Sequence, residues 1–148
     1  MGGGGSQVLM DWVVDSSIAL AWALPDETSK EADRFLSRIS MKSILWVPAL
    51  WWYEIANALL MAQRRKRLEE AERIRLMDLY RRLPIRTDGV LDSDSVWRFH
   101  ALAIEFNLSA YDAAYLELAQ RRGLGLATVD RTLRLAAQRA GMKVTSQA

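Results

Sequence analysis

The chain has 148 residues, 51% of them hydrophobic and 26% charged, the size and balance of one globular domain with its own core. It holds no Cys and one His, which excludes disulfides, thiol nucleophiles, thiolate zinc sites and iron–sulfur clusters, and leaves His100 without the context of a hydrolytic triad. A formal charge of +2 permits a nucleic-acid partner without demanding one, so the available chemistry rests on 18 carboxylates, the hydroxyls and 20 Lys and Arg.

Met1 to Gln7 reads M-G-G-G-G-S-Q, the composition of a flexible linker. Residues 1–9 are read as an added flexible segment, with Met10 a candidate native start, and 10–148 as the single domain. No basic stretch with an apolar run and cleavage site appears. The longest apolar run, Ile18 to Leu24, is far too short to span a bilayer, so no membrane association and a cytoplasmic location are expected.

Trp12 to Val14 is a short apolar run ending at Asp15, as a buried parallel strand would. Ser16 to Leu24 has helical spacing and stops at Pro25. Glu27 to Ser40 puts Ala32, Phe35, Leu36 and Ile39 on one helix face. Ile44 to Val47 predicts a second strand, and Pro48 opens a helix over Ala49 to Arg65. Leu68 to Leu83 predicts another helix, with Ile74, Met77 and Leu83 inward. Pro84 to Thr87 reads as a third strand before the Asp88-Gly89 turn. Ser95 to Phe106 and Ser109 to Arg122 read as helices, and Gly125 to Val129 as a fourth strand. Arg131 to Ala140 reads as a helix stopped at Gly141, and Met142 to Thr145 as a last short strand. Strands alternating with helices imply an α/β fold with a parallel sheet. No dinucleotide fingerprint or Walker A run is present, because Gly123-x-Gly125 precedes a strand instead of following one.

Four acids are not explained by solvated helix faces: Asp15, Glu54, Asp112 and Asp130. Asp15 and Asp130 each follow an apolar strand, where open parallel sheets bind ligands; each also precedes a helix and suits an N-cap. Asp112 completes a capping-box pattern with Ser109, yet its helical neighbours Leu108, Tyr115 and Leu116 put it on an apolar stripe. Glu54 lies nearly two turns into its helix, among Leu50, Trp51, Asn57 and Ala58. A carboxylate there is costly unless it is ion-paired with an Arg or bound to a metal. Two acids at strand ends and two on helix faces would meet at one edge of the sheet. Clustered carboxylates repel, and a hard divalent cation such as Mg²⁺ or Mn²⁺ relieves that repulsion. Ser16 and Thr128 flank the same strand ends and are candidates to support metal or bound water, or to cap locally.

Arg64-Arg65-Lys66-Arg67 begins a basic stretch reaching Arg82, with eight basic side chains against four acidic ones. Arg64 and Arg65 are candidate phosphate contacts, or simply a solvated helix end. Arg131 and Arg134 are preferred for phosphate because they follow Asp130. Trp51 and Trp52 adjoin Glu54; such rings stack on RNA bases, although packing is their more frequent use.

These motifs also carry a family resemblance. V-V-D-S-S at Val13 to Ser17, V-P-A-L-W-W-Y-E-I-A-N-A-L at Val47 to Leu59, L-S-A-Y-D-A-A-Y-L-E-L-A at Leu108 to Ala119 and G-L-A-T-V-D-R-T-L at Gly125 to Leu133 together resemble a PIN domain of the VapC toxin type. The likeness runs from about Trp12 to Val144. It implies a sheet of order 3-2-1-4-5 with helices on both faces. It implies a Mg²⁺- or Mn²⁺-dependent endoribonuclease, the toxin of a VapBC-type toxin–antitoxin pair, held as a homodimer and inhibited by a VapB-like antitoxin. The family's acids match Asp15, Glu54, Asp112 and Asp130, with Asp15 and Asp112 as central metal ligands and the other two as ligands or water-orienting groups. Its accessory hydroxyls match Ser16 and Thr128. The competing expectation is a catalytically silent PIN-like interaction module whose acids only cap and brace. An Asp-based phosphatase or receiver-like domain fits less well, because V-V-D-S-S lacks the D-x-D of the former.

Overall fold

The structure is a computed structural model that describes residues 11–24, 27, 29–39 and 42–145. The expected linker at 1–9, the candidate start Met10, the helix stop at Pro25 and the helix end at Ser40 lie outside the described residues. Four strands form one parallel sheet: β1 (Trp12–Val14), β2 (Leu45–Pro48), β3 (Ile85–Asp88) and β4 (Gly125–Ala127). Seven helices accompany them among the described residues. These are α1 (Ser16–Ala23), α2 (Lys30–Arg38), α3 (Ala49–Arg64), α4 (Glu70–Arg82), α5 (Ser93–Phe106), α6 (Ala110–Arg122) and α7 (Arg131–Arg139).

The strand order is β3-β2-β1-β4. The expected fifth strand at Met142 to Thr145 shrinks to one parallel bridge between Leu126 and Val144, supported by Leu126 N–H donating to Lys143 O at 2.9 Å. Its place beside β4 is the expected one, but the edge segment is too short to build a ladder. Gly125 permits that close approach. A Cβ there would lie 2.7 Å from the Trp12 ring and 3.0 Å from Lys143 O.

Strand alternation divides the core. Val13 and its register partner Leu126 enter one apolar cluster, while Val14 and Ala127 enter another. The first cluster is completed by Trp51, Ile55 and Leu59 of α3, Tyr80 of α4, Leu116 of α6 and Leu133 of α7. The second is completed by Ile18 and Ala21 of α1 and Ala32 and Phe35 of α2. Trp51 is fully buried and meets Trp52 and Tyr80 edge to face, at 4.7 and 5.7 Å between ring centres. It is therefore a core residue and not a base-stacking platform.

Along helix α4 and its cap, Met77 and Leu83 pack against the main core cluster as expected, and only Ile74 departs. Ile74 is 54% exposed, while Tyr80 is the residue most deeply buried, its hydroxyl donating to Ala19 O at 2.7 Å. Among the described residues no helix is long and apolar enough to cross a membrane.

Because all four strands run the same way, their carboxyl ends share one edge. Asp15 follows β1, Pro48 ends β2 and starts α3, and Thr128 follows β4 at that edge.

Candidate active site

Asp15 is fixed before any ligand arrives. Its backbone N–H continues the β1–β4 ladder to Ala127 O at 3.1 Å. Its side chain caps α1 by accepting from Ile18 N–H at 3.4 Å, the capping role foreseen for it. The same oxygen accepts from Ser17 Oγ at 2.6 Å, and the other from Thr128 Oγ1 at 2.7 Å. Only 6% of the residue is exposed. Burial pushes its pKa up to about 6; the Ser17, Thr128 and Ile18 bonds pull it down, and the charge of Asp130 adds to the rise.

Thr128 joins two of the acids. Its hydroxyl donates to Asp15 and accepts from Asp130 N–H at 2.9 Å. Asp130 in turn caps α7 through Leu133 N–H at 3.0 Å. Ser17 closes the turn by accepting from Val129 N–H at 3.1 Å. Sequence reasoning singled out Ser16 and missed Ser17, because adjacent residues in a helix's first turn differ only in rotation about the axis.

Ser16 faces elsewhere. Its hydroxyl donates to Glu54 Oε1 at 3.3 Å, and the Tyr115 hydroxyl donates a short bond to the same oxygen. Glu54 is half-buried, at the border of the apolar face of α3. The ion pair with an Arg considered for it is replaced by two hydroxyls. In the sequence, Tyr115 stands out only as an apolar neighbour of Asp112. Burial, then the Glu54 hydrogen bond, raises its phenol well above the ordinary range, so it remains a donor.

Asp112 lies on the same face of α6, three residues before Tyr115. Ser109 Oγ accepts from Asp112 N–H at 3.1 Å, so half of the anticipated capping box forms. Among the described residues no bond from the Asp112 carboxylate closes the other half. Its pKa is raised, first by burial and then by the charges of Asp130 and Glu54. The two segments carrying those charges, the turn after β4 and α3, thus both act on a carboxylate presented by α6.

Hydrogen bonds through Thr128 thus link Asp15 to the Asp130 turn, and α6 carries Asp112 on the same face as Tyr115, which bonds Glu54. Among the described residues, no three of the four acids are already grouped as a metal cage. Their donor chemistry nevertheless suits a hard divalent cation: oxygen ligands only, with mutual repulsion that a cation would offset.

The basic candidates separate. Arg131 is exposed at the first turn of α7, beside Asp130. Arg134 corrects the expectation of a phosphate contact. It is 4% exposed, paired with Glu31 of α2, and donates to Thr128 O at 2.8 Å. An arginine so enclosed braces the turn and does not face a substrate. Arg64 and Arg65 are exposed at the far end of α3, roughly 15 Å along the helix axis from Glu54.

A second polar cluster forms around Asp88 at the carboxyl end of β3. Buried Asp88 accepts from Arg121 at 3.0 Å and Arg122 at 2.8 Å. Burial would raise its pKa, but those two bonds prevail and hold it below the usual carboxylate range. Arg122 also lies 3.5 Å over the Trp46 ring. These contacts tie α6 to β3 and β2 and satisfy one another.

Comparison with known proteins agrees with this architecture. Residues 12–138 match the family model for the PIN domain. Ribonuclease VapC3 of Pyrobaculum aerophilum is 33% identical over 128 residues, covering 84% of this chain and 92% of that protein. Among solved structures, PAE2754 from Pyrobaculum aerophilum superposes with a TM-score of 0.63 at 28% identity over 86% of each chain. VapBC2 from Rickettsia felis, bound to a DNA fragment from their promoter, shares the fold with a TM-score of 0.65 at 9% identity, over 91% of this chain and 97% of that one. The chain belongs to the PIN domain family, among the VapC proteins.

Proposed function

We propose that this protein is a divalent-metal-dependent endoribonuclease, the toxin of a VapBC-type pair. The observation that carries this reading is the linkage of acids from separate segments: Thr128 bonds both Asp15 and the Asp130 turn, while Tyr115, three residues after Asp112 on α6, bonds Glu54. Such a cluster is costly in isolation and suited to a cation. The relative named a ribonuclease supports RNA as the substrate. The same reading carries a VapB-like antitoxin and a second copy of the chain as partners, and the cytoplasm as the place of action.

Asp15 and Asp112 would hold Mg²⁺ or Mn²⁺, with Glu54 and Asp130 as further ligands or as acceptors that orient a bound water. When bound, the cation would lower the pKa of that water and clamp the phosphate oxygens. Thr128 keeps Asp15 and the Asp130 turn in fixed relation, and Ser17 holds the same turn from the α1 side. Arg131, exposed beside Asp130, would meet an RNA phosphate.

RNA incubated with the purified chain should be cut in Mn²⁺ or Mg²⁺ and left intact with EDTA. Cutting that EDTA does not suppress would overturn the metal-dependent reading. Arg131→Ala should weaken RNA binding and lower the slope of log affinity against log salt by about one, and an unchanged slope would remove Arg131 from the phosphate contacts.

A silent interaction module is the second reading. The capping bonds of Asp15 and Asp130 favour it, since they give both acids a structural task. A Mn²⁺ titration separates the two, because acids that only cap would bind the ion weakly and without nuclease activity.

A further inference from the structure

Glu54 is held by one oxygen and left open at the other. Tyr115 is 1% exposed, rooted in the main apolar cluster, and its hydroxyl donates to Glu54 Oε1. Ser16, from the first turn of α1, donates to the same Oε1 at 3.3 Å. A carboxylate oxygen has two good acceptor directions, and both are taken here. Among the described residues no side chain or backbone group donates to Oε2. A glutamate normally spends rotamer entropy to hold one orientation, and two donors from two helices remove most of that freedom before a ligand arrives.

We infer that Tyr115 is a positioning residue for the metal-dependent hydrolysis: with Ser16 it pins Oε1 of Glu54, so that Glu54 meets a divalent cation, or water bound to it, through Oε2 alone. The inference rests on the nuclease reading above and assigns a task to a residue that reading does not use. One-oxygen engagement fits the chemistry of a small cation. Mg²⁺ demands near-octahedral geometry and keeps several waters, so a glutamate that chelated with both oxygens would occupy a position needed by water or phosphate. Placement on α6 adds a second consequence. Asp112 and Tyr115 share a helix face, so the helix that presents one candidate ligand also sets the orientation of another. Partners that orient metal-binding carboxylates typically govern affinity by about 10–100-fold.

The test uses the full chain and Tyr115→Phe, which removes one hydroxyl and leaves the ring in the core. Free Mn²⁺ is followed by its electron paramagnetic resonance signal, and cleavage of a defined RNA is measured in parallel. Mn²⁺ affinity should fall by about 10–100-fold, with a matching loss in kcat and little change in the KM for RNA. Ser16→Ala, which leaves the core untouched, should move both readings in the same direction by less. The Tyr115→Phe/Glu54→Gln double variant should bind Mn²⁺ no more weakly than Glu54→Gln alone, because Tyr115 acts through Glu54. Wild-type Mn²⁺ affinity in Tyr115→Phe overturns the inference, and so do losses that multiply in the double variant. Asp15→Asn serves as the control. If it is inactive while Tyr115→Phe behaves as wild type, only the positioning role fails; if the wild-type chain itself neither binds Mn²⁺ nor cuts RNA, the nuclease reading and the positioning role fail together.

Discussion

Asp15→Asn is expected to lower metal-dependent RNA cleavage by on the order of 100-fold or more, the upper end of what loss of a metal-site partner costs, and to leave the fold intact. The fold survives because asparagine also caps helices, so Ile18 N–H keeps an acceptor. Thr128 Oγ1 can reverse its bond and accept from the new amide, since a hydroxyl both donates and accepts. The same substitution should stabilise the metal-free protein at neutral pH. Burial, aided by Asp130, raises the Asp15 pKa from 3.8 to about 6. The folded state therefore binds this proton more tightly than the unfolded chain does. Its contribution is fully present below pH 3.8 and is lost as pH rises through about 6. At pH 7 the ionised, buried carboxylate opposes folding by about 3 kcal/mol, a penalty asparagine does not carry. In EDTA, Asp15→Asn should thus melt above wild type at pH 7 to 8, and the gap should close toward pH 4. Added Mn²⁺ should raise the melting temperature of the wild type and not of the variant. A variant that melts lower than wild type at pH 8 would show that the charge stabilises the apo fold, and full cleavage activity would remove Asp15 from the metal site.

This double character explains why part of the site was legible in the sequence. Asp15 and Asp130 stand out because each ends an apolar run, and parallel strands with helical crossovers put such ends at one edge. Capping and site chemistry proved compatible: both residues cap helices, and both still act on the shared electrostatics. Glu54 and Asp112 stand out because they interrupt apolar stripes. The partners were less visible. Ser16 and Ser17 occupy successive positions of one helical turn, and only the entry angle of α1 decides that Ser17 meets Asp15 while Ser16 meets Glu54. Tyr115 reads as core in any apolar count, since its ring is buried and its hydroxyl contributes nothing to periodicity. Ile74 fits the inward stripe of α4 with Met77 and Leu83, yet it alone stays exposed, while Tyr80 is buried with its hydroxyl on Ala19 O. The last strand shrinks to a single bridge because the edge segment is short, and Gly125, which lets Lys143 O come close, gives no hint of that length in the sequence.

Arg134 shows the same gap most sharply, and its loss is the largest expected effect on stability. Nearness in sequence to Asp130 suggested a phosphate contact, but α7 has turned its guanidinium inward within one helical turn. Nη2 pairs with Glu31 and holds Thr128 O at 2.8 Å, while Nε is buried without a partner. Arg134→Met should destabilise the protein by about 3–5 kcal/mol, because it strands the half-buried Glu31 charge and frees the Thr128 carbonyl. Pairing it with Glu31→Leu should recover most of the loss, since exchanging both members of a buried ion pair for apolar groups is often close to neutral. Urea unfolding of the two single variants and the double one measures this directly. Thr128 also carries the bond to Asp15 and receives Asp130 N–H, so Arg134→Met should depress cleavage even at temperatures where it is folded. Glu31→Leu alone leaves the guanidinium buried without its counter-ion, and should be as damaging as Arg134→Met. A variant lacking Arg134 that unfolds like wild type but binds RNA poorly would return this residue to the phosphate, and would mean that the turn after β4 is held by its hydroxyls alone.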